Sequence, residues 1–235
     1  MAPRRKCREF IVTYPTILFS IGLLCAAAAA KLGGAFWLLL WPAASFWVVV
    51  TLGYVGRRPG LVGKKANGSI APASFLFFLP FLLFAQTSWN VFRAFAREDA
   101  SNEVVPGIWI GRWPGEADLP AGVDLVVDVT AELPVRRRVV HAGRAYLCLP
   151  ALDASVPDEA LFRTTVDQLA SDPRGIFVHC AFGHGRSAMV VAAILIRRGL
   201  ARDVTEAVGL LKAKRPLVSM NARQLDYVRR AGLAS

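Results

Sequence analysis

Ile176-Phe177-Val178-His179-Cys180-Ala181-Phe182-Gly183-His184-Gly185-Arg186-Ser187-Ala188 is the stretch that decides the fold. An apolar run of strand length leads directly into Cys180, and two glycines follow it. An apolar helical pattern over residues 189–196 begins after the Arg186-Ser187 pair. Because successive backbone N–H groups at a helix N-terminus can surround one oxyanion, this pattern predicts a phosphate-binding loop with a sulfur at its base.

The residue types of this loop suit phosphoryl transfer. The amides and the helix dipole that hold a phosphate dianion should also favour the thiolate form of Cys180, the expected nucleophile. Arg186 presents a planar guanidinium for two phosphoryl oxygens and for the charge that develops on them. Ser187 can donate a hydrogen bond to the sulfur and help it leave. The predicted phosphate-binding residues are Ala181, Phe182, Gly183, His184, Gly185, Arg186 and Ser187.

The segment from Cys180 to Ser187 resembles the active-site loop of the cysteine-dependent protein tyrosine phosphatase superfamily, and within it the dual-specificity branch. Residues 149–157, Leu-Pro-Ala-Leu-Asp-Ala-Ser-Val-Pro, resemble the general-acid segment of that branch. This resemblance implies that Asp153 is the acid, although Asp158 stands nearby and could fill the role. Lys214-Arg215-Pro216 and residues 221–227 resemble the turn and the final helix that close the domain.

The resemblance covers about residues 103–232 and implies a hydrolase of phosphate monoesters that works through a cysteinyl-phosphate. Such an enzyme needs no cofactor. No metal site is expected either, because the four cysteines and three histidines show no ligand spacing. A non-catalytic phosphate-binding membrane protein and a rhodanese-like sulfurtransferase are weaker alternatives, since the nucleophile, the acid and the Arg-Ser ending of the loop are all present.

From about residue 101 the sequence pattern is that of an α/β domain. Short β-rich runs alternate with amphipathic helical stretches, which predicts an α/β domain over residues 101–235. The resemblance implies that this is a dual-specificity-phosphatase-like domain, with a central mixed or parallel sheet flanked by helices. Glu132 is expected to be a turn residue at the end of a strand, with a position at the mouth of the site as the alternative. The predicted strands are 107–111, 123–129, 145–149 and 175–179, and the predicted helices are 159–170, 187–198, 204–214 and 221–231.

Residues 1–100 have the composition of a membrane region. The whole chain is 54% hydrophobic with a mean hydropathy of +0.42, which is too apolar for one ordinary soluble domain. Two uncharged runs predict a transmembrane hairpin at about 10–30 and 33–56, because each can cross a hydrocarbon core of ~30 Å. Gly33 and Gly34 supply its turn. A secretory signal peptide is the alternative interpretation of the first run.

A third apolar segment, 70–92, decides on which side of the membrane the domain lies. If it spans, the domain is exported; if it is re-entrant or interfacial, the domain stays in the cytoplasm. Pro80 in mid-run and the two arginines that follow favour the second possibility, with the domain on the cytoplasmic face of a multi-pass protein. The positive charges that place both hairpin ends in the cytoplasm are Arg4, Arg5, Lys6, Arg8, Arg57, Arg58, Lys64 and Lys65.

The charge distribution points to lipid and not to nucleic acid. Of the 28 basic and 17 acidic residues, the first hundred positions hold 11 and 3, so most of the net charge of +11 belongs to the membrane region. Anionic membrane lipid is therefore the expected partner, and nucleic acid is not. Within the α/β domain, the basic run 136–138 is expected to face solvent or lipid headgroups.

The expected substrate is a phosphorylated lipid or a phosphorylated protein. A membrane hairpin holds the site at the bilayer surface, and the resemblance includes a subgroup that acts on phosphatidylglycerophosphate-like lipids, so a lipid phosphate is favoured. The loop lacks the lysines that phosphoinositide phosphatases tend to carry, which speaks against an inositol headgroup. A dual-specificity phosphatase of phosphotyrosine and phosphoserine or phosphothreonine stays open as the alternative.

Overall fold

The computed structural model describes residues 6–136, 139 and 143–233. By length and composition, three helical segments of its N-terminal part are able to cross a membrane: Tyr14–Leu32, Gly34–Val55 and Pro72–Phe95. Arg4 and Arg5, which contribute to the charge pattern above, lie outside the described residues. The helical elements of this part are α1 (Lys6–Leu32), a 3₁₀ segment (Gly34–Leu39), α2 (Leu40–Val48), its π-helical continuation (Val49–Val55) and α3 (Pro72–Phe95).

Two glycines form the turn between α1 and α2. Gly33 and Gly34 have φ angles of 61° and 54°, a left-handed backbone that a side chain would disfavour. The two helices then pack side by side, and the Trp47 indole donates a hydrogen bond to the Phe19 carbonyl at 3.3 Å. The helices of this hairpin lie where the two uncharged runs predicted them.

α3 is one continuous helix of 24 residues, although Pro80 lies inside it. Pro72 occupies its first turn, where a missing N–H costs no helical hydrogen bond. At 1.5 Å per residue the helix is about 36 Å long, enough either to cross a bilayer or to lie along the molecule. The choice between a spanning segment and a re-entrant or interfacial one stays a prediction. Its buried residues form one stripe, Phe78, Phe81, Leu82, Ala85 and Trp89.

The C-terminal part is an α/β domain on a five-stranded mixed sheet. The first strand is antiparallel to the second, and all other neighbouring strands are parallel. The carboxyl ends of the parallel strands meet at one edge of the sheet, where α/β folds place their ligand sites. The strands are β1 (Ser101–Val105), β2 (Ile108–Gly111), β3 (Leu125–Asp128), β4 (Ala145–Cys148) and β5 (Ile176–His179), in the spatial order β1-β2-β5-β3-β4.

Four α-helices complete the described part of the domain, and the predicted fold class is confirmed. The second of them, which follows the phosphate loop, packs against β2, β5 and the other three helices, and residues 186–195 are all buried. β1 was not predicted from the sequence, because Ser101, Asn102 and Glu103 are polar and this strand lies at the sheet edge. The helices are α4 (Glu159–Ser171), α5 (Arg186–Arg197), α6 (Val204–Lys214) and α7 (Ala222–Leu233).

The N-terminal helices pack directly on the α/β domain. One cluster of buried apolar side chains joins Phe81 of α3 to Leu152 and Ala131 of the domain. Gly53, at the end of the second apolar segment, permits this packing, since a Cβ there would lie 2.6 Å from Leu152 Cδ1. The N-terminal helical part therefore contacts the segment that carries the predicted acid, Asp153.

Candidate active site

Cys180 follows β5 and lies at the base of the predicted loop. Its side chain is buried, the Gly183 N–H donates to its Sγ at 3.2 Å, and the Ser187 hydroxyl lies 3.4 Å from the sulfur. Gly183 has a φ of 81°, and a Cβ there would lie 2.7 Å from the carbonyl carbon of Gly111. Only glycine fits this turn, which brings a backbone amide and a hydroxyl to the sulfur.

Four consecutive carbonyls of the loop are held from outside. Each accepts a hydrogen bond from a donor that is not part of the loop, so the carbonyls point outward. The amide groups of the loop are then free to point inward, which is the arrangement that binds an oxyanion. The pairs are Trp89 Nε1 to Ala181 (3.0 Å), Arg215 Nη2 to Phe182 (3.0 Å), Arg215 Nε to Gly183 (3.1 Å) and the Ser219 N–H to His184 (3.0 Å).

Arg186 begins α5, and its guanidinium is buried beside the loop. It donates to a Glu132 carboxylate oxygen at 3.0 Å, to the Ala151 carbonyl at 2.8 Å and to Asp153 Oδ1 at 3.1 Å. Burial alone would lower the pKa of Arg186, but the charges of Glu132 and Asp153 raise it overall. The site therefore holds a permanent cation next to the predicted acid.

The two aspartates near the loop have different environments. Asp153 is partly exposed and pairs with Arg186. Asp158 is the N-cap of α4, and its carboxylate accepts the Leu161 N–H at 3.0 Å. An N-cap carboxylate is already occupied with the helix terminus. Of the two candidates, Asp153 is the one that meets the arginine, and its role as the acid stays a prediction that this placement supports.

Glu132 lies in the bend after β3, as expected of a turn residue, but its side chain also pairs with Arg186. It is 3% exposed, and its Oε1 lies 2.8 Å from Arg186 Nη1. Burial raises the pKa of Glu132, and the Arg186 guanidinium opposes that rise. Glu132 therefore holds the catalytic-loop arginine in place. The local sequence around Glu132 contains no sign of this pairing, because the partner lies 54 residues further along the chain.

Lys64, from the connection between α2 and α3, reaches the sheet edge next to the loop. Its side chain is fully buried, and Nζ donates to Asp128 Oδ2 at 2.7 Å and to both the carbonyl and the hydroxyl of Thr130 at 2.9 Å. Asp128 ends β3 beside His179, with 3.9 Å between Oδ2 and the imidazole Nε2. A residue of the N-terminal part thus supports the strand next to the one that leads into Cys180.

This cluster contains one ionised carboxylate and one neutral imidazole. Burial would raise the pKa of Asp128, but the Lys64 ammonium next to it lowers that pKa to about 2. Burial lowers the pKa of His179, which keeps its imidazole neutral near pH 7. Among the described residues, no three or more His, Cys, Asp or Glu side chains are grouped so that they could hold a metal ion.

The C-terminal half of α3 forms a wall beside the loop. The Phe92 ring packs on Phe182 with centroids 4.4 Å apart, and the Trp89 and Trp113 rings meet edge to face at 4.9 Å. The Arg136 guanidinium lies 4.1 Å from the Trp113 ring centroid. This arginine of the basic run 136–138 therefore stacks on the wall, in contrast to the expected solvent-facing or lipid-facing position, and Arg137 and Arg138 lie outside the described residues.

The structure brings together Cys180, Arg186, Ser187 and Asp153, and their catalytic roles stay predictions. It also shows supporting residues that were not predicted from the sequence. Several of them come from positions 64–98, which lie outside the resemblance. One signal in the sequence was Trp89 in the third apolar segment, because a buried indole N–H usually needs a hydrogen-bond acceptor outside its own helix. These supporting residues are Lys64, Trp89, Asp128, Arg215 and Glu98, whose Oε2 lies 2.6 Å from His184 Nε2.

Proteins of known structure share this fold. Residues 118–231 match the family model described as dual specificity phosphatase, catalytic domain. The crystal structure of human DUSP28 is 25% identical with a TM-score of 0.51, covering 58% of this chain and 95% of that chain. The structure of Tk-PTP in its active form is 23% identical with a TM-score of 0.50, covering 58% of this chain and 98% of that chain. The structure of PTPMT1 in complex with PI(5)P is 21% identical with a TM-score of 0.50, covering 57% of this chain and 95% of that chain. None of the curated proteins compared with the chain matches it.

The mixed sheet, the loop after β5 and these likenesses define a cysteine-dependent phosphatase. Within that class, residues 118–231 form a dual specificity phosphatase catalytic domain, and long apolar helices precede it in the chain.

Proposed function

We propose that the protein is a membrane-anchored phosphomonoesterase that hydrolyses a lipid phosphate of the phosphatidylglycerophosphate kind through a cysteinyl-phosphate. The observation that carries this proposal is that Trp89 and Phe92 of α3 contact Ala181 and Phe182 of the phosphate loop. A catalytic loop that packs on an apolar N-terminal helix is held close to the bilayer. Confinement at the bilayer raises the effective concentration of a lipid substrate over that of a soluble one.

The reaction has two steps in this proposal. The Cys180 thiolate attacks phosphorus, so that an S–P bond forms while the P–O bond to the alcohol breaks and Asp153 gives its proton to the leaving oxygen. The loop amides and Arg186 bind the phosphoryl oxygens, and phosphate takes over the Arg186 contact that Asp153 makes here. Water then attacks phosphorus, Asp153 accepts its proton, and the thiolate leaves with a hydrogen bond from Ser187. The products are the alcohol and inorganic phosphate.

The loop composition supports a glycerol-based headgroup over an inositol one. Positions 181–185 are Ala, Phe, Gly, His and Gly, without a lysine for additional phosphates. The PTPMT1 structure contains PI(5)P, but the likeness of that protein to this chain concerns the fold alone. The proposed substrate therefore rests on the loop and on its contacts with α3.

The catalytic domain is placed on the cytoplasmic face in this proposal. At the start of α3, Ser74 lies against Gly63, next to the lysine that enters the domain, and towards its end Trp89 binds the loop. A helix with both ends close to one domain does not carry the chain to the opposite side, and the flanking charges favour the cytoplasm for the hairpin ends. Protease added to right-side-out vesicles should leave the domain intact, whereas its digestion would place the domain outside.

The substrate is tested with purified full-length protein in detergent micelles. Phosphate release is measured from phosphatidylglycerophosphate, phosphatidic acid, a phosphotyrosine peptide, a phosphothreonine peptide and an aryl phosphate, with and without EDTA. We expect the lipids to be hydrolysed with the higher kcat/KM and EDTA to have no effect. Cys180→Ser should abolish turnover while inorganic phosphate still binds, and residual turnover within tenfold of wild type would rule out the cysteinyl-phosphate.

A phosphoprotein is the second candidate substrate. The family to which residues 118–231 belong, and the 25% identity with human DUSP28, favour it. Faster hydrolysis of both phosphopeptides than of either lipid would assign the enzyme to this second function.

A further inference from the structure

A cavity of about 430 Å³ separates the cytoplasmic end of the hairpin from the segment that follows Asp153. One wall consists of Tyr54 and Arg57 at the end of the second apolar segment. The opposite wall consists of Ala154 and Pro157, with Arg223 of α7 beside them. We call this space the hairpin groove. Its volume lies in the range of small-molecule sites.

Two arginines and two acidic residues line the hairpin groove. Within the described part of the chain, neither Arg57 nor Arg223 is paired with a carboxylate. The two acidic residues on its lining are already engaged, because Asp158 caps α4 and Glu159 pairs with neighbouring arginines. An anionic ligand is therefore the class that this lining fits.

The backbone of the hairpin groove is strained on both walls. Arg57 and Ala154 have φ angles of 54° and 55°, and they are the only non-glycine residues with positive φ in the described part of the chain. Such conformations persist where the surrounding structure fixes them, and they cluster at ligand sites. Here they face each other across one cavity, next to the predicted acid.

The hairpin groove begins where the leaving alcohol of the phosphatase reaction has to lie. Because Asp153 must protonate the leaving oxygen, the alcohol part of the substrate has to extend past Asp153. Ala154 is the next residue, and the groove begins there. The opposite wall, with Tyr54, belongs to the hairpin, so an alcohol that continues into the bilayer has a path along the groove.

We propose that the hairpin groove binds the alcohol part of the substrate, and that Arg57 and Arg223 bind a second, diesterified phosphate within it. This inference rests on the proposed lipid phosphatase function and narrows it. The substrate class is then a glycerophospholipid with a phosphodiester inside and a phosphomonoester at the end. Phosphatidic acid, in which the only phosphate is the one hydrolysed, lacks the group that the two arginines recognise.

The test compares substrates and charge-matched variants of the full-length protein in detergent micelles. Arg57→Gln and Arg223→Gln should each lower kcat/KM for phosphatidylglycerophosphate about tenfold or more, the effect of losing a hydrogen bond to a charged group. Turnover of phosphatidic acid and of an aryl phosphate should stay within twofold of wild type. Arg58→Gln and Arg229→Gln are the controls, since they remove the same charge from exposed positions outside the groove.

The product gives a second measurement. Phosphatidylglycerol retains the phosphodiester, so it should inhibit the hydrolysis of an aryl phosphate by the wild type and by both control variants. Its inhibition of the two groove variants should be weaker.

The remaining outcomes would overturn the inference, and each indicates a different role for the two arginines or a different substrate. Equal losses on phosphatidylglycerophosphate and phosphatidic acid would mean that the arginines bind the membrane and not the phosphodiester. Loss of aryl phosphate turnover would mean that they support the catalytic centre itself. If the wild type hydrolyses both lipids and the variants leave the ratio of their rates unchanged, the groove proposal fails alone. If it hydrolyses phosphopeptides and neither lipid, the proposed function fails together with it.

Discussion

The indole N–H of Trp89 donates a hydrogen bond to the carbonyl of Ala181 at 3.0 Å, and the two residues are 92 positions apart in the chain. Trp89 is buried in a helix that is apolar enough to cross a membrane, whereas Ala181 directly follows Cys180 in the phosphate loop. Trp89 also lies outside residues 118–231, the part that matches the phosphatase family. The geometry of the catalytic loop therefore includes a contact from outside the family domain.

Trp89→Phe should slow catalysis without unfolding the protein. The phenyl ring keeps most of the packing on Trp113, but the Ala181 carbonyl loses one of its two donors, the other being the Trp113 N–H at 3.1 Å. We expect kcat/KM for an aryl phosphate to fall about threefold to tenfold, since one hydrogen bond is worth roughly 1 kcal/mol. Steady-state kinetics in detergent micelles measure this change.

Trp41→Phe is the matched control for this prediction. Trp41 Nε1 also donates to a backbone carbonyl at 3.0 Å, that of Phe77, but within the membrane region and away from the loop. Its loss should leave kcat/KM unchanged. Equal effects of the two substitutions would show that the tryptophans act on the stability of the helices and not on the loop.

The parts of the site that could be predicted from sequence are contiguous in the chain. Cys180, Arg186 and Ser187 belong to one loop, and their spacing is fixed by a strand, two glycines and a helix. Asp153 lies in another segment, and it was found through a family resemblance and not through the spacing itself. The spacing of contiguous residues is set mainly by the local backbone, which makes such motifs visible in the sequence.

The supporting contacts could not be predicted, because each joins residues far apart in the chain. Lys64 and Asp128 are 64 positions apart, and Glu132 and Arg186 are 54 apart. Hydropathy does not distinguish a buried, paired charge from an exposed one. Lys64 illustrates the consequence: its charge counted among those flanking the hairpin, yet its side chain is fully buried against the α/β domain.

Lys64→Met should destabilise the protein strongly. Without the ammonium, Asp128 keeps a buried charge whose remaining donors are the hydroxyls of Tyr146 and Thr130 and the Thr130 N–H. Breaking a buried ion pair from one side costs about 3–5 kcal/mol. Thermal unfolding followed by circular dichroism should show the loss, and Lys65→Met, at an exposed neighbouring position, should unfold like wild type. A double variant with Asp128→Leu should recover part of the loss, because it removes the unpaired charge as well.

The same carboxylate should make stability depend on acid pH. The pKa of Asp128 is about 2 in the folded protein, against 3.8 for an unperturbed aspartate. A lowered folded-state pKa means that the stabilisation is complete above about pH 5 and is lost as the pH falls towards 2, by about 2 kcal/mol in total. The decrease in the free energy of unfolding between pH 6 and pH 2 should be smaller by this amount in the Lys64→Met, Asp128→Leu double variant. Asp124→Asn, at an exposed position near the start of β3, should keep the wild-type dependence.

Asp153→Asn should impair catalysis in proportion to the need of the leaving group for a proton. Alkoxide leaving groups from glycerol or serine have high pKa values and must be protonated in the transition state, whereas an activated aryl oxide is stable without a proton. We expect kcat to fall about 10²–10⁴-fold on an alkyl phosphate and far less on an activated aryl phosphate. Asp158→Asn is the control, because asparagine caps a helix as well as aspartate does, so α4 and the site should stay intact. If the two variants exchanged phenotypes, the acid would be Asp158, and if neither distinguished the two leaving groups, the acid would lie outside this segment.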